Sequence, residues 1–215
     1  GSDSKWDKRM YTTCYFKYSD YGDVKADETW YYGVDFDTMW GSAGNKVNPA
    51  PQWPEIEGTP GRFIFKKWTA WWSPNGCTMY GGNEEARDNN LRVMRFAEVL
   101  LLHAEACLQT SDPGGAMSDI NRIRVRAGLP EKQLTDNEAI WSELRKQKLL
   151  EFCGENLRWY DLIRWYDDTA LKAYLVATKD AGQSPTNYQP KHRFLPIPQS
   201  EVDANTALEQ TPAWQ

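Results

Sequence analysis

The segment Ala116 to Ala127, stopped by Gly128 and Pro130, most limits what this chain can fold into. It reads as a helix with Met117, Ile120, Ile123 and Val125 on its buried side. Gly128 supplies the left-handed residue that ends a helix, and Pro130 prevents its resumption. Upstream, from Asn90 to about Gln109, Leu91, Met94, Val99, Leu101, Leu102, Ala106 and Leu108 wrap most of a helical cylinder. A helix apolar nearly all round is expected to pack on more than one side. Asp112-Pro113-Gly114-Gly115 breaks the two apart, so they predict an antiparallel helical hairpin.

Further on, Thr135-Asp136-Asn137-Glu138 reads as a capping box, with Thr135 as the cap and Glu138 reaching back. It opens a long helix through Ile140, Trp141, Leu144, Leu149, Leu150 and Phe152. Gly154-Glu155-Asn156 interrupts that helix before Leu157 to Trp165 resumes it. Glu151, Glu155, Arg158 and Asp161 recur every three or four residues, a spacing at which opposite charges meet along one face. The tail carries little regular pattern beyond Phe194-Leu195-Pro196-Ile197-Pro198, which two prolines force into an extended form.

The first part of the chain has no such period. Residues 1–88 form an aromatic-rich region of loops and short strands, and residues 89–215 the helical region, the two making one structural unit. Met10 to Tyr18 and Arg62 to Trp68 are the strand-like runs. Between them, Asp20 to Gly61 holds Pro49, Pro51, Pro54, Pro60 and several glycines, a loop length usually reserved for function. Seven of 11 Trp and seven of 11 Tyr fall in residues 1–80, although mean hydropathy is only −0.73. Rings with an apolar face and a polar edge suit wet ligand platforms better than dry cores. The expected fold is mainly α, with tetratricopeptide-like helical hairpins, a long irregular region and a few short strands.

Charge and cysteine content exclude several classes. With 25 basic and 30 acidic residues, net −5, the chain lacks the basic footprint of a nucleic-acid binder. No run approaches 18 apolar residues. The opening Gly1-Ser2 reads as a cloning scar, which leaves room for an export signal upstream. Cys14, Cys77, Cys107 and Cys153 have no metal-type spacing. Cys107 and Cys153 read as small buried residues. Four free thiols are favoured over a Cys14–Cys77 bridge.

Catalytic patterns are weak. His103 falls mid-helix and reads as a satisfied core or interhelix residue, while His192 has no nucleophile elbow beside it. Gly81-Gly82-Asn83 precedes Glu84-Glu85, whose charge would repel phosphate. Glu98 and Glu105 lie two helical turns apart, roughly 10 Å, and read as ion-pair partners of Arg95 or Arg124 rather than as a glycosidase pair. No metal ligands, cofactor or catalytic residues are expected.

Three blocks carry a resemblance. Leu91 to Ala106 (LRVMRFAEVLLLHAEA) is similar to the R-x-A-E-V-L-L-x-x-A-E-A helix of the SusD/RagB family of outer-membrane glycan-binding lipoproteins. Ile120 to Pro130 (INRIRVRAGLP) resembles its I-N-x-V-R-x-R-A-G-L-P hairpin, and Glu151 to Trp165 its E-L-x-F-E-G-x-R-W-x-D-L-x-R-W block. Leu195 to Glu201, with Asn205, Leu208 and Gln210, resembles the closing P-I-P-x-x-E…N-x-x-L-x-Q, and Asp7-Lys8-Arg9 the opening D-P-R. Lys8 replaces the usual proline, Gly154 the usual phenylalanine and Asn156 the usual glycine. These blocks read as framework rather than site, with the Arg95–Glu98–Glu105 and Glu155–Arg158–Asp161 sets locking helices together.

The resemblance implies a non-catalytic protein on the outer-membrane surface. It would capture oligosaccharide or polysaccharide and deliver it to a SusC-like TonB-dependent transporter. Family members are about twice this long, so the chain reads as a C-terminal region whose N-terminal half is a further partner. Sugar capture asks for aromatic faces against C–H faces of the rings, and Trp30, Tyr31, Tyr32 and Trp40 are the candidate glycan contacts. Packing of those rings against the helices competes with that role. A helical-repeat docking module without glycan binding is the alternative, and a glycosidase fragment a weaker third.

Overall fold

A computed structural model describes residues 7–15, 30–31, 34–35, 64–65, 67, 92–178 and 187–215. It divides into two compact units, Gly1–Gly154 and Glu155–Gln215. The chain is mainly helical, as expected from the sequence.

In the first unit, helix α1 (Lys8–Thr13) leads directly into strand β1 (Cys14–Tyr15). The run beginning at Met10 is therefore helical up to Thr13, because the Asp7 carboxylate caps it by accepting from the Arg9 amide at 2.9 Å. Strand β1 pairs antiparallel with β4 (Ile64–Phe65), with Cys14 opposite Phe65 and Tyr15 opposite Ile64. The two strand-like runs of the sequence thus pair with each other. Strands β2 (Trp30–Tyr31) and β3 (Val34–Asp35) form a second antiparallel ladder.

Helices α2 (Phe96–Gln109), α3 (Pro113–Arg126) and α4 (Asn137–Glu151) all pack on one another. Leu101, Ala104, Ile120, Ile123, Ile140 and Leu144 form their sealed interior. Each of the leucines and isoleucines contributes about 1.5–3 kcal/mol by leaving water. Helix α2 begins six residues later than the sequence suggests. It is also not packed all round, since Phe96, Val99 and Leu102 are exposed, as are Val93 and Met94 before it. Val125, expected inside, is 54% exposed. It lies two positions from Ile123 and so points away from the buried stripe of Ile120 and Ile123.

The hairpin turn is built by Asp112, whose side chain accepts from the Gly115 amide at 2.9 Å, with Pro113 in the first helical turn. Gly115 is needed there: a Cβ would collide with the Asp112 carboxylate and lie 2.9 Å from Cys107 Sγ. At the other end Gly128 has φ +77°, and the Lys8 side chain lies across it. The cap of α4 is Asp136 rather than Thr135, accepting from the Ala139 amide at 2.8 Å. Glu138 pairs outward with Arg145 at 3.0 Å instead of closing a box.

The second unit contains α5 (Arg158–Trp165), α6 (Asp168–Thr178) and α7 (Gln199–Ala204), with 3₁₀ turns at Pro190–Arg193 and Pro212–Trp214. Helices α6 and α7 were not legible in the sequence. Leu162, Leu171, Leu175 and Tyr188 make the core, and Trp159, Ile163, Tyr166 and Tyr174 pack around it. Near the C-terminus the Gln210 side-chain amide clasps the Ile197 backbone, accepting from its N–H at 3.0 Å and donating to its carbonyl at 2.8 Å. Among the described residues no helix is long and apolar enough to cross a membrane.

Candidate functional site

Of the four candidate glycan contacts, Trp30 and Tyr31 form β2, with Trp30 opposite Asp35 and Tyr31 opposite Val34. Tyr32 and Trp40 lie outside the described residues, as do Trp53, Trp68, Trp71 and Trp72. The register brings Trp30 and Asp35 to opposing positions, an aromatic and a carboxylate residue facing each other across a ladder.

The charges of the first unit converge on two buried carboxylates. Glu143, on α4, accepts from Arg124 Nη1 of α3 at 2.5 Å and from Gln147 Nε2 at 2.7 Å, and its other oxygen accepts from Lys132 Nζ at 2.5 Å. Burial alone would raise its pKa, but Lys132, Gln147 and Arg124 together hold it below the usual carboxylate value. Glu151, at the end of α4 and 4% exposed, is more heavily surrounded. Its Oε1 accepts from Arg95 Nη1 at 2.9 Å and from Arg126 Nη2, while Oε2 lies 3.7 Å from Arg9 Nη1. Its backbone carbonyl accepts from Lys67 Nζ at 2.7 Å and Arg95 Nη2 at 3.2 Å. Burial opposes ionisation, but bonds from Arg126 and Arg95 outweigh it and lower the pKa.

These pairings correct the sequence reading. Arg95 and Arg124, assigned to Glu98 and Glu105, bind Glu151 and Glu143. Glu105 faces Lys148 at 4.0 Å. Short-range helical spacing missed Glu143 altogether and gave Glu151 only neighbours along its own face.

His103 is an interhelix residue as expected, its Nδ1 sitting 2.5 Å from Asp119 Oδ2 of α3. Its side chain is nevertheless 65% exposed. Cys107 lies 3.8 Å from His103 Nε2, so a thiol, an imidazole and a carboxylate come together. Burial, with Asp112 and Asp119 nearby, pushes the Cys107 thiol up, which keeps it protonated and poorly nucleophilic. Cys153 is exposed rather than buried, and Cys77 lies outside the described residues. His192 is held in its 3₁₀ turn, accepting at Nδ1 from the Gln189 amide at 3.2 Å. Among the described residues no group of three His, Cys, Asp or Glu is placed to hold a metal ion.

An open groove of about 610 Å³ runs along α3, lined by Ser118, Asn121, Arg122, Val125, Arg126 and Glu131. Three of its polar side chains are already engaged. Asn121 exchanges two hydrogen bonds with the Lys132 backbone, Arg126 binds Glu151, and Arg122 lies over the Phe96 ring.

A helical stack locked by buried carboxylates, preceded in the chain by two short antiparallel ladders, defines the class. The SusD family model matches residues 1–214, and the chain belongs to that family. It is 32% identical over 133 residues to SusD-like protein P25 of Formosa agariphila, an overlap covering 59% of this chain and 24% of that protein. A SusD-like protein of Bacteroides ovatus is 31% identical over 80 residues, covering 36% of this chain and 14% of that one. The crystal structure of a SusD superfamily protein from Bacteroides vulgatus superposes on 99% of this chain and 41% of its own, with a TM-score of 0.68 at 23% identity. The chain therefore spans less than half the length of these relatives.

Proposed function

We propose that this chain is the part of a SusD-family protein that binds oligosaccharide or polysaccharide at the outer-membrane surface, without breaking bonds. The bound glycan is then passed to a SusC-like TonB-dependent transporter. SusD-family proteins are generally non-catalytic binding proteins of that surface, and the family match over residues 1–214 carries the reading. Sequence composition supports it: Trp30, Tyr31, Tyr32 and Trp40 sit among Asp35, Asp37, Asn45 and Asn48. Aromatic faces cover the apolar sides of sugar rings while carboxylates and amides take the hydroxyls.

The test is retention in glycan-loaded affinity gels. Trp30→Ala and Trp40→Ala are expected to lower retention while leaving the melting temperature unchanged. Equal losses of retention and melting temperature would assign those rings to packing. A second reading, a helical docking module for another protein, draws on the exposed Phe96, Val99 and Leu102 of α2. Capture of a protein partner with no glycan retention would favour it.

A further inference from the structure

We infer that Glu151 is a positioning residue for the aromatic segment, fastening the outgoing and returning stems of residues 16–63 to the helical core through one side chain and one carbonyl. The inference rests on the reading that this segment meets the glycan.

In chain order α1 and β1 precede residues 16–63, and β4 and Lys67 follow them. Because β1 and β4 pair antiparallel, the two stems run side by side at Cys14–Phe65 and Tyr15–Ile64. Each stem also carries one cation to Glu151. Arg9 of the outgoing stem has Nη1 3.7 Å from Oε2, and Lys67 of the returning stem donates to the Glu151 carbonyl at 2.7 Å. Arg9 is held for that role by Asp7, which accepts from its Nε at 3.0 Å and its Nη2 at 2.6 Å. On the core side Arg95 and Arg126 fix Oε1, so the carboxylate cannot follow the stems if they move. Arg9 Nη1 and Glu151 Oε2 are also both buried with no hydrogen-bond partner, and they lie 3.7 Å apart. An isolated two-stranded ladder of two residue pairs is marginally stable at best in water. The charged contacts supply the rest.

Lys67→Met is the informative variant, because Arg95 still binds the Glu151 carbonyl and the carboxylate keeps its partners. Amide exchange at residues 14–15 and 64–65 should accelerate about tenfold or more, the worth of one charged hydrogen bond. Exchange in α2–α4 should not change. Lys67→Arg, which keeps a donor, should restore slow exchange, and Glu151→Gln should loosen the same stems. Glycan-gel retention should fall with Lys67→Met and recover with Lys67→Arg. Unchanged exchange at the stems, or equal acceleration across α2–α4, would overturn the inference. Failure of the wild-type chain to be retained by any glycan would sink the binding reading instead, and the exchange pattern would still decide the role of Glu151.

Discussion

In the first unit Arg124 and Glu143 form an ion pair sealed between helices, whereas in the second Tyr188 and Arg193 gather around a half-exposed aspartate. Arg124 and Glu143 are both buried and meet at 2.5 Å across α3 and α4. In the second unit Tyr188 donates to Asp168 Oδ1 at 2.8 Å, and Arg193 Nε donates to the same oxygen at 2.7 Å. Arg193 also donates to the carbonyls of Ile163 and Tyr166, tying the 3₁₀ turn to the end of α5. Buried ion pairs fix helix register but tolerate no missing partner. A network near the surface can replace a lost member with water. The two regions should therefore fail differently.

The largest difference is expected from deletion of one partner. Glu143→Ala strands Arg124 in a dry interior and should cost roughly 3–5 kcal/mol in urea unfolding. Replacing the pair together, Arg124→Met with Glu143→Leu, should recover most of that loss. A single-variant cost below about 1 kcal/mol would mean that water reaches the pair.

Acid and alkali should next separate the regions. Glu143 and Glu151 have folded pKa values held below their ordinary one, so their contribution is complete above about pH 4.5 and fades as pH falls through the folded values. Tyr188 has the opposite sign. Burial first, and then Asp168, push its pKa up to about 12, so its contribution is complete below pH 10 and lost between 10 and about 12. Melting curves across pH should show acid loss suppressed in Glu151→Gln and alkaline loss suppressed in Tyr188→Phe. An alkaline limb unaltered in Tyr188→Phe would reject that assignment.

At neutral pH Tyr188→Phe should itself cost only about 1 kcal/mol by chemical denaturation, because Arg193 still satisfies Asp168. A loss above about 3 kcal/mol would show that the hydroxyl holds more than one bond's worth of the second unit.

The same contrast explains what was legible beforehand. The α2–α3 hairpin was readable because Ile120, Ile123 and Gly128 obey local rules. The cap of α4 was misplaced by one because Thr135 and Asp136 are both good caps. Helix α6 is marked by Leu171, Tyr174 and Leu175, with Asp167 accepting from the Ala170 amide at 2.8 Å, but its short stripe carried too little signal. The Glu151 cluster was beyond local rules, since hydrogen-bond partners come from 25 to 84 residues away. Yet the three arginines around the carboxylate lie in separate blocks of the family pattern, Arg9 in the opening, Arg95 in the first helix and Arg126 in the hairpin, with Glu151 itself in the third. Blocks that read as separate framework pieces meet at one carboxylate. For the site, the sequence offered four aromatic positions, and the described structure supplies a register for Trp30 and Tyr31 alone.

The smallest expected effect concerns Lys8, where this chain departs from the proline of the family pattern. It occupies the first position of α1, where a proline is tolerated because the N–H has no partner within the helix. Here that N–H has found one, donating to the Ala127 carbonyl at 3.0 Å and joining α1 to the end of α3. Lys8→Pro would lose this bond, worth roughly 0.5–1.5 kcal/mol. It would also remove disorder from the unfolded chain, worth roughly 0.4–1 kcal/mol in the other direction. The two nearly cancel, so the variant should stay within about 0.5 kcal/mol of wild type. A loss above about 1.5 kcal/mol would show that the lysine stem across Gly128 holds α1 as firmly as the Arg9–Glu151 contact does.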